Sequence, residues 1–161
     1  MTIIQNMPEF RYQEIGEVKN VVDQFVTKTL PIKYWTHSAH LTVGLWYVSK
    51  YGKQEASKQM PNLIRKYNEA TGNLNSDTNG YHETITQFWI WLLDCYWHQV
   101  QGKMSLLNAC NYLLTSPFGN PNSFLKFYSK SVIFSIEARQ KYVEPDLHPL
   151  DSKMIGTPDT N

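Results

Sequence analysis

Two histidine-containing stretches hold the residues of this chain whose types and spacing could do chemistry. The stretch THSAH places His37 and His40 three positions apart, and the stretch GYHET places Tyr81, His82 and Glu83 in succession. Side chains three positions apart share one face of a helix, so His37 and His40 can act together. A neutral imidazole can bind a metal or accept a proton, and a carboxylate can serve as a ligand or a general base. We therefore consider His37, His40 and His82 as candidate metal ligands, and Glu83, His82 and Tyr81 as candidate catalytic residues.

The spacing of apolar residues predicts helices along most of the chain and no β-strand. Thr36 is a good N-cap for the second helix, Gly52 supplies a stop after it, and Pro61 predicts a kink in the third helix. The predicted helices span 15–29, 36–51, 54–71, 80–101, 105–114 and 122–129, followed by a last one capped by Ser135. The sequence therefore predicts an all-α, single-domain bundle of six or seven helices.

The helix at 80–101 is expected at the centre of this bundle. Its apolar residues lie on nearly all sides, which is typical of a helix surrounded by others. Trp89 and Leu92 belong to this apolar surface, and we expect both to be fully buried.

The last part of the chain lacks helical spacing. The stretch PDLHPLDSKMIGTPDTN contains three prolines, and chain ends of this kind are often poorly ordered. We therefore expect a helical domain at 1–145 and an extended, partly disordered tail at 146–161.

The order of the helices predicts where the two histidine stretches lie. Short connections favour antiparallel neighbours. If the second, third and fourth helices run up, down and up, the first turns of the outer two lie at the same end of the bundle. His82 then approaches His37 and His40, with the loop at 73–79 passing above them. The topology thus predicts a site at the rim of the bundle, above an aromatic floor.

The electrostatics of the helix ends suggest what such a site could bind. Helix N-termini carry partial positive charge, so they disfavour imidazolium and favour an anionic ligand group such as a carboxylate or phosphate. Three histidines, or two with a carboxylate, suit a divalent transition metal such as zinc or iron. Taken singly, each residue also has a structural explanation. A first-turn histidine is often a surface or capping group, and Glu83 can close a capping box.

Several well-defined catalytic motifs are absent from the sequence. HETIT lacks the second histidine of H-E-x-x-H, and no Glu-x-x-His pair occurs, which argues against zincin peptidases and ferritin-type di-iron bundles. There is also no P-loop, G-x-G-x-x-G or G-x-S-x-G.

Composition narrows the cellular setting and the partners. A net charge of +1 does not indicate a basic surface for binding nucleic acid. No apolar run approaches the length of a membrane-spanning helix, and no signal peptide is recognisable. Two cysteines without metal-finger spacing are typical of a reducing cytoplasm. Charged residues make up only 18%, which favours self-association, so a homodimer is one expectation.

Four stretches of this sequence are distinctive together: WTHSAHLTVGLWYV, IRKYNEATG, GYHETITQFWI and FSIEARQKYVEPDLHPL. They resemble an uncharacterised family of small bacterial all-helical proteins with THxAHL and GYHETIT-FW type motifs, over roughly residues 34–150. The resemblance implies an all-helical fold and singles out His37, His40, His82 and Glu83. It brings no activity, substrate or cofactor with it.

Two functions are compatible with these observations. The first is a small cytosolic enzyme that acts on a small molecule. In it, His37, His40 and His82 bind zinc or iron, Glu83 serves as ligand or general base, and Tyr81 positions the substrate. The second is a non-enzymatic helical module that binds a ligand or a protein on its aromatic floor. A haem-binding bundle with one axial histidine is a third alternative.

Overall fold

Six α-helices, joined by turns and short 3₁₀ segments, make up the part of the protein that the computed structural model describes, residues 12–159. No β-strand occurs within this range, so the predicted all-α class is confirmed. No helix in it is long and apolar enough to cross a membrane. The helices are α1 (Ile15–Val26), α2 (His37–Ala70), α3 (Glu83–Val100), α4 (Leu106–Thr115), α5 (Lys130–Ile133) and α6 (Ile136–Gln140).

Helix α2 reverses its direction at Gly52, where the backbone leaves helical geometry with φ 80° and ψ 165°. The ring of Trp35, just before α2, lies 5.0 Å from the ring of Tyr67 near the end of α2. A straight helix, which rises about 1.5 Å per residue, would hold these positions about 48 Å apart. The two halves of α2 are therefore antiparallel, and the predicted end of a helix at Gly52 is confirmed.

Pro61 lies within helical backbone of the second half of α2. A proline has no N–H for the carbonyl four residues earlier, which here belongs to Ser57. The side-chain amide of Gln87, on α3, donates to that carbonyl at 3.3 Å. The neighbouring helix thus supplies the donor that Pro61 lacks, and α2 continues to Ala70.

Helix α3 lies between two apolar clusters, which confirms its predicted central position. One of its sides packs on α1, α2 and α4 through Leu93, Tyr96 and Val100. The other side places Phe88 and Leu92 against the segment that contains Phe124, Phe127, Tyr128 and Ile133. Because both sides are covered by protein, α3 holds the bundle together.

The expected burial of Leu92 is confirmed, since only 2% of it is exposed. The expected full burial of Trp89 is wrong, because Trp89 is half-buried and lines a cavity. The reason is local: Trp89 borders a cavity that is also lined by Leu41 of α2 and by Phe124, so protein does not cover the whole indole.

The connections after α4 differ from the predicted helix at 122–129. That stretch forms only a short 3₁₀ segment, Ser123–Lys126, before α5 and α6. Residues 146–159 then run mainly without regular structure. They are held by the N–H of Leu147, which donates to Phe127 O at 2.9 Å, and by Gln99, whose amide donates to Gly156 O at 3.3 Å. The end of the predicted tail, 160–161, lies outside the described residues.

Replacement of Gly52 by alanine should lower the free energy of unfolding by about 1–3 kcal/mol, because a side chain disfavours this backbone conformation. No atom lies within 4 Å of a Cβ built at Gly52, so the effect comes from the backbone alone. Gly16→Ala is the matched control. Gly16 lies within helix α1, and alanine there should be neutral or stabilise by about 0.5–1 kcal/mol. Equal denaturant midpoints for the two variants would contradict the reversal at Gly52.

Candidate functional site

A cavity of about 830 Å³ lies at the end of the bundle where α2 begins and ends and where α3 begins. Its walls come from the first and last turns of α2, the first three turns of α3, and the chain around Phe124, Phe134 and α6. His37, His40 and His82 all line it. The structure thus brings the three histidines of the two sequence motifs to one cavity.

His37 and His40 each keep one ring nitrogen without a protein partner in the described part of the chain. The Nε2–H of His37 donates to the carbonyl of Gly119 at 2.8 Å, which leaves Nδ1 free. The Nδ1–H of His40 donates to the carbonyl of Thr36 at 2.6 Å, which leaves Nε2 free. The ring of Trp35 lies 3.9 Å from that of His40. These contacts set the tautomer of both rings and restrict how they can turn.

Both histidines are neutral near pH 7. Part of the surface of His40 is exposed, but many protein atoms lie around its ring, and the resulting desolvation lowers its pKa to about 4. The hydrogen bond to Thr36 opposes this shift, and the neighbouring His37 adds to it. Burial also lowers the pKa of His37. The cavity therefore presents two uncharged imidazoles, each with a lone pair available.

His82, in contrast, uses both ring nitrogens within the fold. It is 8% exposed and is the N-cap of α3. Its Nδ1 accepts the N–H of Ile85 at 3.2 Å, and its Nε2–H donates to the carbonyl of Ile133 at 2.7 Å. Burial lowers the pKa of His82. A metal could bind His82 only by breaking one of these two bonds, so its assignment as a ligand stays a prediction.

Glu83 lies beside His82 in sequence, but its carboxylate is directed to a different set of partners. Oε2 accepts the hydroxyl of Tyr81 at 2.5 Å and lies 4.0 Å from Nη2 of Arg65, and Oε1 accepts the amide of Gln87 at 3.0 Å. The Arg65 guanidinium covers the Tyr81 ring at 4.2 Å. The cavity walls include Tyr81 and His82 but not Glu83. The predicted catalytic role of Glu83 stays a prediction.

Tyr81 lies between the cavity and the cluster formed by Glu83, Gln87 and Arg65. Its ring lines the cavity, while its hydroxyl is held by Glu83. Burial and then the Glu83 carboxylate raise its pKa, so the hydroxyl stays protonated and keeps donating to that carboxylate.

Arg139 is a wall residue that sequence reasoning did not single out. It lies in α6, whose N-cap Ser135 was recognised, but nothing in the sequence places α6 above the start of α3. Nη1 of Arg139 donates to the carbonyls of Gly80 and Tyr81 at 3.0 and 3.2 Å. The guanidinium therefore lies beside the predicted histidine site, across more than fifty residues of sequence.

The donors available for a metal are fewer than the sequence suggested. Within residues 12–159, no group of three or more His, Cys, Asp or Glu side chains is arranged to hold a metal ion. His37 and His40 can offer two nitrogens, whereas zinc sites in proteins use three or four protein ligands. A metal bound here would need a further ligand from solvent or from a bound molecule.

Comparisons of the chain with protein-family models, with curated proteins and with solved structures found no match.

The lowered pKa values predict that the protein loses stability as the pH falls. An unfolded histidine titrates near 6.5, whereas folded His40 titrates near 4, so between these values the unfolded chain binds more protons. The stabilisation is fully present above pH 6.5 and decreases as the pH falls toward 4. Melting temperatures measured from pH 7.5 to about 5 should therefore decrease less in His40→Gln than in the wild type.

His148→Gln, at an exposed histidine outside the cavity, is the control. It should follow the wild type. If wild type and His40→Gln lost stability in parallel, burial of a neutral His40 would be contradicted.

Proposed function

We propose that this protein binds a small organic molecule inside the cavity, with His37 and His40 as its polar contacts. The observation that carries the proposal is the pair of neutral imidazoles, each with one unpartnered nitrogen, in a wall that is otherwise mainly apolar. A cavity of about 830 Å³ lies within the range of about 300–1,000 Å³ that is usual for drug-sized ligands. A few fixed polar groups in an apolar cavity are the usual composition of such a site.

The two imidazoles define what part of a ligand they would contact. Since each free nitrogen carries a lone pair, it accepts a hydrogen bond from a hydroxyl, amine or amide of the ligand. The hydrogen bond to Thr36 and the contact with Trp35 hold the His40 ring in place before a ligand arrives. A group already fixed in its bound orientation loses little conformational entropy on binding, which favours affinity.

A ligand found by a thermal-shift screen of polar and apolar fragments should bind about tenfold more weakly to His40→Ala, because it loses a hydrogen bond to a ring that is already fixed in place. Isothermal titration calorimetry measures the two affinities. His98→Ala, on the far part of α3 and outside this cavity, is the control and should bind as the wild type does. The proposal fails if no fragment stabilises the protein, or if fragments that do so bind His40→Ala unchanged.

An enzyme is the second candidate, favoured by the fixed tautomer of His40. A histidine whose Nδ1–H is held by a carbonyl and whose Nε2 is free is suited to accept a proton or to bind a metal. In this alternative, His37 and His40 hold zinc or iron, His82 joins them after releasing a protein partner, and Tyr81 and Glu83 act on the substrate. With its pKa near 4, His40 alone would be a weak general base, so the metal is the stronger form of this candidate.

Elemental analysis of protein purified without a polyhistidine tag tests the metal. The enzyme candidate predicts close to one equivalent of zinc or iron, which His37→Ala and His40→Ala both remove. Metal lost from His82→Ala as well would include His82 among the ligands. An absorbance spectrum of the same sample tests for haem. If the protein is supplemented with zinc or iron at neutral pH and still holds less than about a tenth of an equivalent of metal, the enzyme candidate is wrong.

We also propose that the protein acts in the cytoplasm and belongs with the bacterial proteins that its motifs resemble. Both cysteines, Cys95 and Cys110, are free thiols, and free thiols suit a reducing compartment. A homodimer stays a proposal as well, and sedimentation analysis tests it.

A further inference from the structure

The wall of the cavity changes from polar to apolar along α3. At the start of α3, here called the mouth, it includes His82 and Arg139, whereas further along α2 and α3, here called the floor, it includes Met60, Ile90 and Leu93. From His82 to Leu93 the wall runs along eleven residues of α3, a depth of roughly 16 Å at the rise of an α-helix. A ligand that spans this wall therefore meets polar groups at one end and apolar side chains at the other.

The floor is closed where α2 and α3 meet at Gly44. A Cβ on Gly44 would lie 2.6 Å from Cδ1 of Leu93, so only glycine allows this approach. Toward the helix ends, two further polar side chains of the wall are already paired. The hydroxyl of Thr86 donates to the carbonyl of His82 at 2.8 Å, and the amide of Asn68 donates to Asn75 at 2.9 Å. The lower part of the cavity thus offers a ligand only apolar contact.

At the mouth lies Arg139, the only formally charged wall residue within the described range 12–159, if histidine is counted as neutral. Its two hydrogen bonds to Gly80 and Tyr81 both use Nη1, so N–H groups on Nη2 and Nε remain available. None of the three ion pairs found in residues 12–159 includes Arg139. A guanidinium with free donors and no carboxylate partner attracts an anion, and its planar donor geometry matches a carboxylate.

The helix N-termini at the mouth also favour an anionic ligand. The N-termini of α2 and α3 both open there, and they favour negative charge. The C-terminus of α2 also reaches the mouth, but its carbonyls are occupied: Thr71 Oγ1 donates to Tyr67 O at 2.9 Å, and the N–H of Asn73 donates to Asn68 O at 2.9 Å. Arg139 and the two helix N-termini therefore favour an anionic group at this end of the cavity.

We infer that the ligand of this cavity is an amphipathic anion, a medium-chain carboxylate whose head group pairs with Arg139 and whose chain runs down to Leu93. This inference rests on the proposed ligand-binding function and adds the class of ligand and its orientation. Because His37 and His40 are neutral, they neither supply nor oppose the charge of the head group. They accept hydrogen bonds from any hydroxyl or amide that the ligand carries near its head.

Three probes of equal chain length test the charge of the head group: decanoate, decanol and decyltrimethylammonium, each below its micellar concentration. Decanoate should bind at least about tenfold more tightly than decanol, because its hydrogen bonds to the guanidinium are charge-assisted. The ammonium compound should bind most weakly. Affinities come from calorimetry and from the fluorescence of Trp35 and Trp89, which border the cavity.

Chain length tests the orientation. From hexanoate to decanoate the affinity should increase by roughly fourfold per methylene group, as expected for transfer of each group to an apolar wall. No dependence on chain length would overturn the placement of the chain on the floor.

Variants of Arg139 test whether this residue causes the preference for decanoate over decanol. Arg139→Gln should reduce the ratio of decanoate affinity to decanol affinity to about one, because the charge that distinguishes the two head groups is gone, and Arg139→Lys should restore part of that ratio. Arg65→Gln, at an arginine that does not line the cavity, is the matched control and should keep the full preference. Melting temperatures of all three variants show whether each is folded, since Arg139 also holds Gly80 and Tyr81.

The outcomes separate this inference from the proposed function. Equal binding of decanoate and decanol to the wild type, or a preference retained in Arg139→Gln, overturns the anionic head group but leaves a ligand-binding cavity. If none of the chain compounds binds while screened fragments do, the ligand class is wrong and the proposed function stands. If neither binds, both are wrong.

Discussion

The reversal of α2 at Gly52 is the constraint on which the site depends. A helix of this length would otherwise carry its two ends to opposite sides of the protein. With φ near 80° at Gly52, both ends come to the same side, and the connection 71–82 brings the start of α3 there too. Three helix ends then meet around one space. The cavity follows from this arrangement, since helices that end together leave their last turns without a fourth helix to fill the centre.

The start of α3 is buried, so its first N–H groups require hydrogen-bond partners from the protein. The first N–H groups of a helix have no partner within it, and leaving one buried and unpaired costs about 1–3 kcal/mol. His82 meets the requirement with an imidazole that accepts from Ile85 and donates to Ile133. A serine cap could accept the same N–H, but its short side chain would not reach the opposite wall. The histidine therefore both caps α3 and fixes the segment that forms the far side of the cavity.

Much of this could be predicted from the sequence, because it depends on local signals. The caps at Thr36 and Ser135 and the break at Gly52 are properties of a few neighbouring residues. Together with the preference for antiparallel neighbours they predict that the two histidine stretches converge.

The chemistry of the individual side chains could not be predicted in the same way. The second ring nitrogen of His82 is occupied by the carbonyl of Ile133, and the position of Arg139 depends on the carbonyls of Gly80 and Tyr81. These partners lie more than fifty residues away, and no periodicity encodes them. The half-burial of Trp89 has the same origin, since an apolar position in a central helix does not reveal that its neighbours diverge around it.

Removal from water disfavours any charged side chain, and the histidines and the arginine of this cavity respond to it differently. Burial disfavours the charged form of a histidine, so His37 and His40 lose their protons, whereas a guanidinium cannot lose its own and must find partners instead. Arg139 finds two backbone carbonyls, which carry only partial charges and so leave its full charge uncompensated. A wall residue paired with a carboxylate would have been electrically neutral. The pairing with carbonyls keeps Arg139 in place and leaves its charge to whatever enters the cavity.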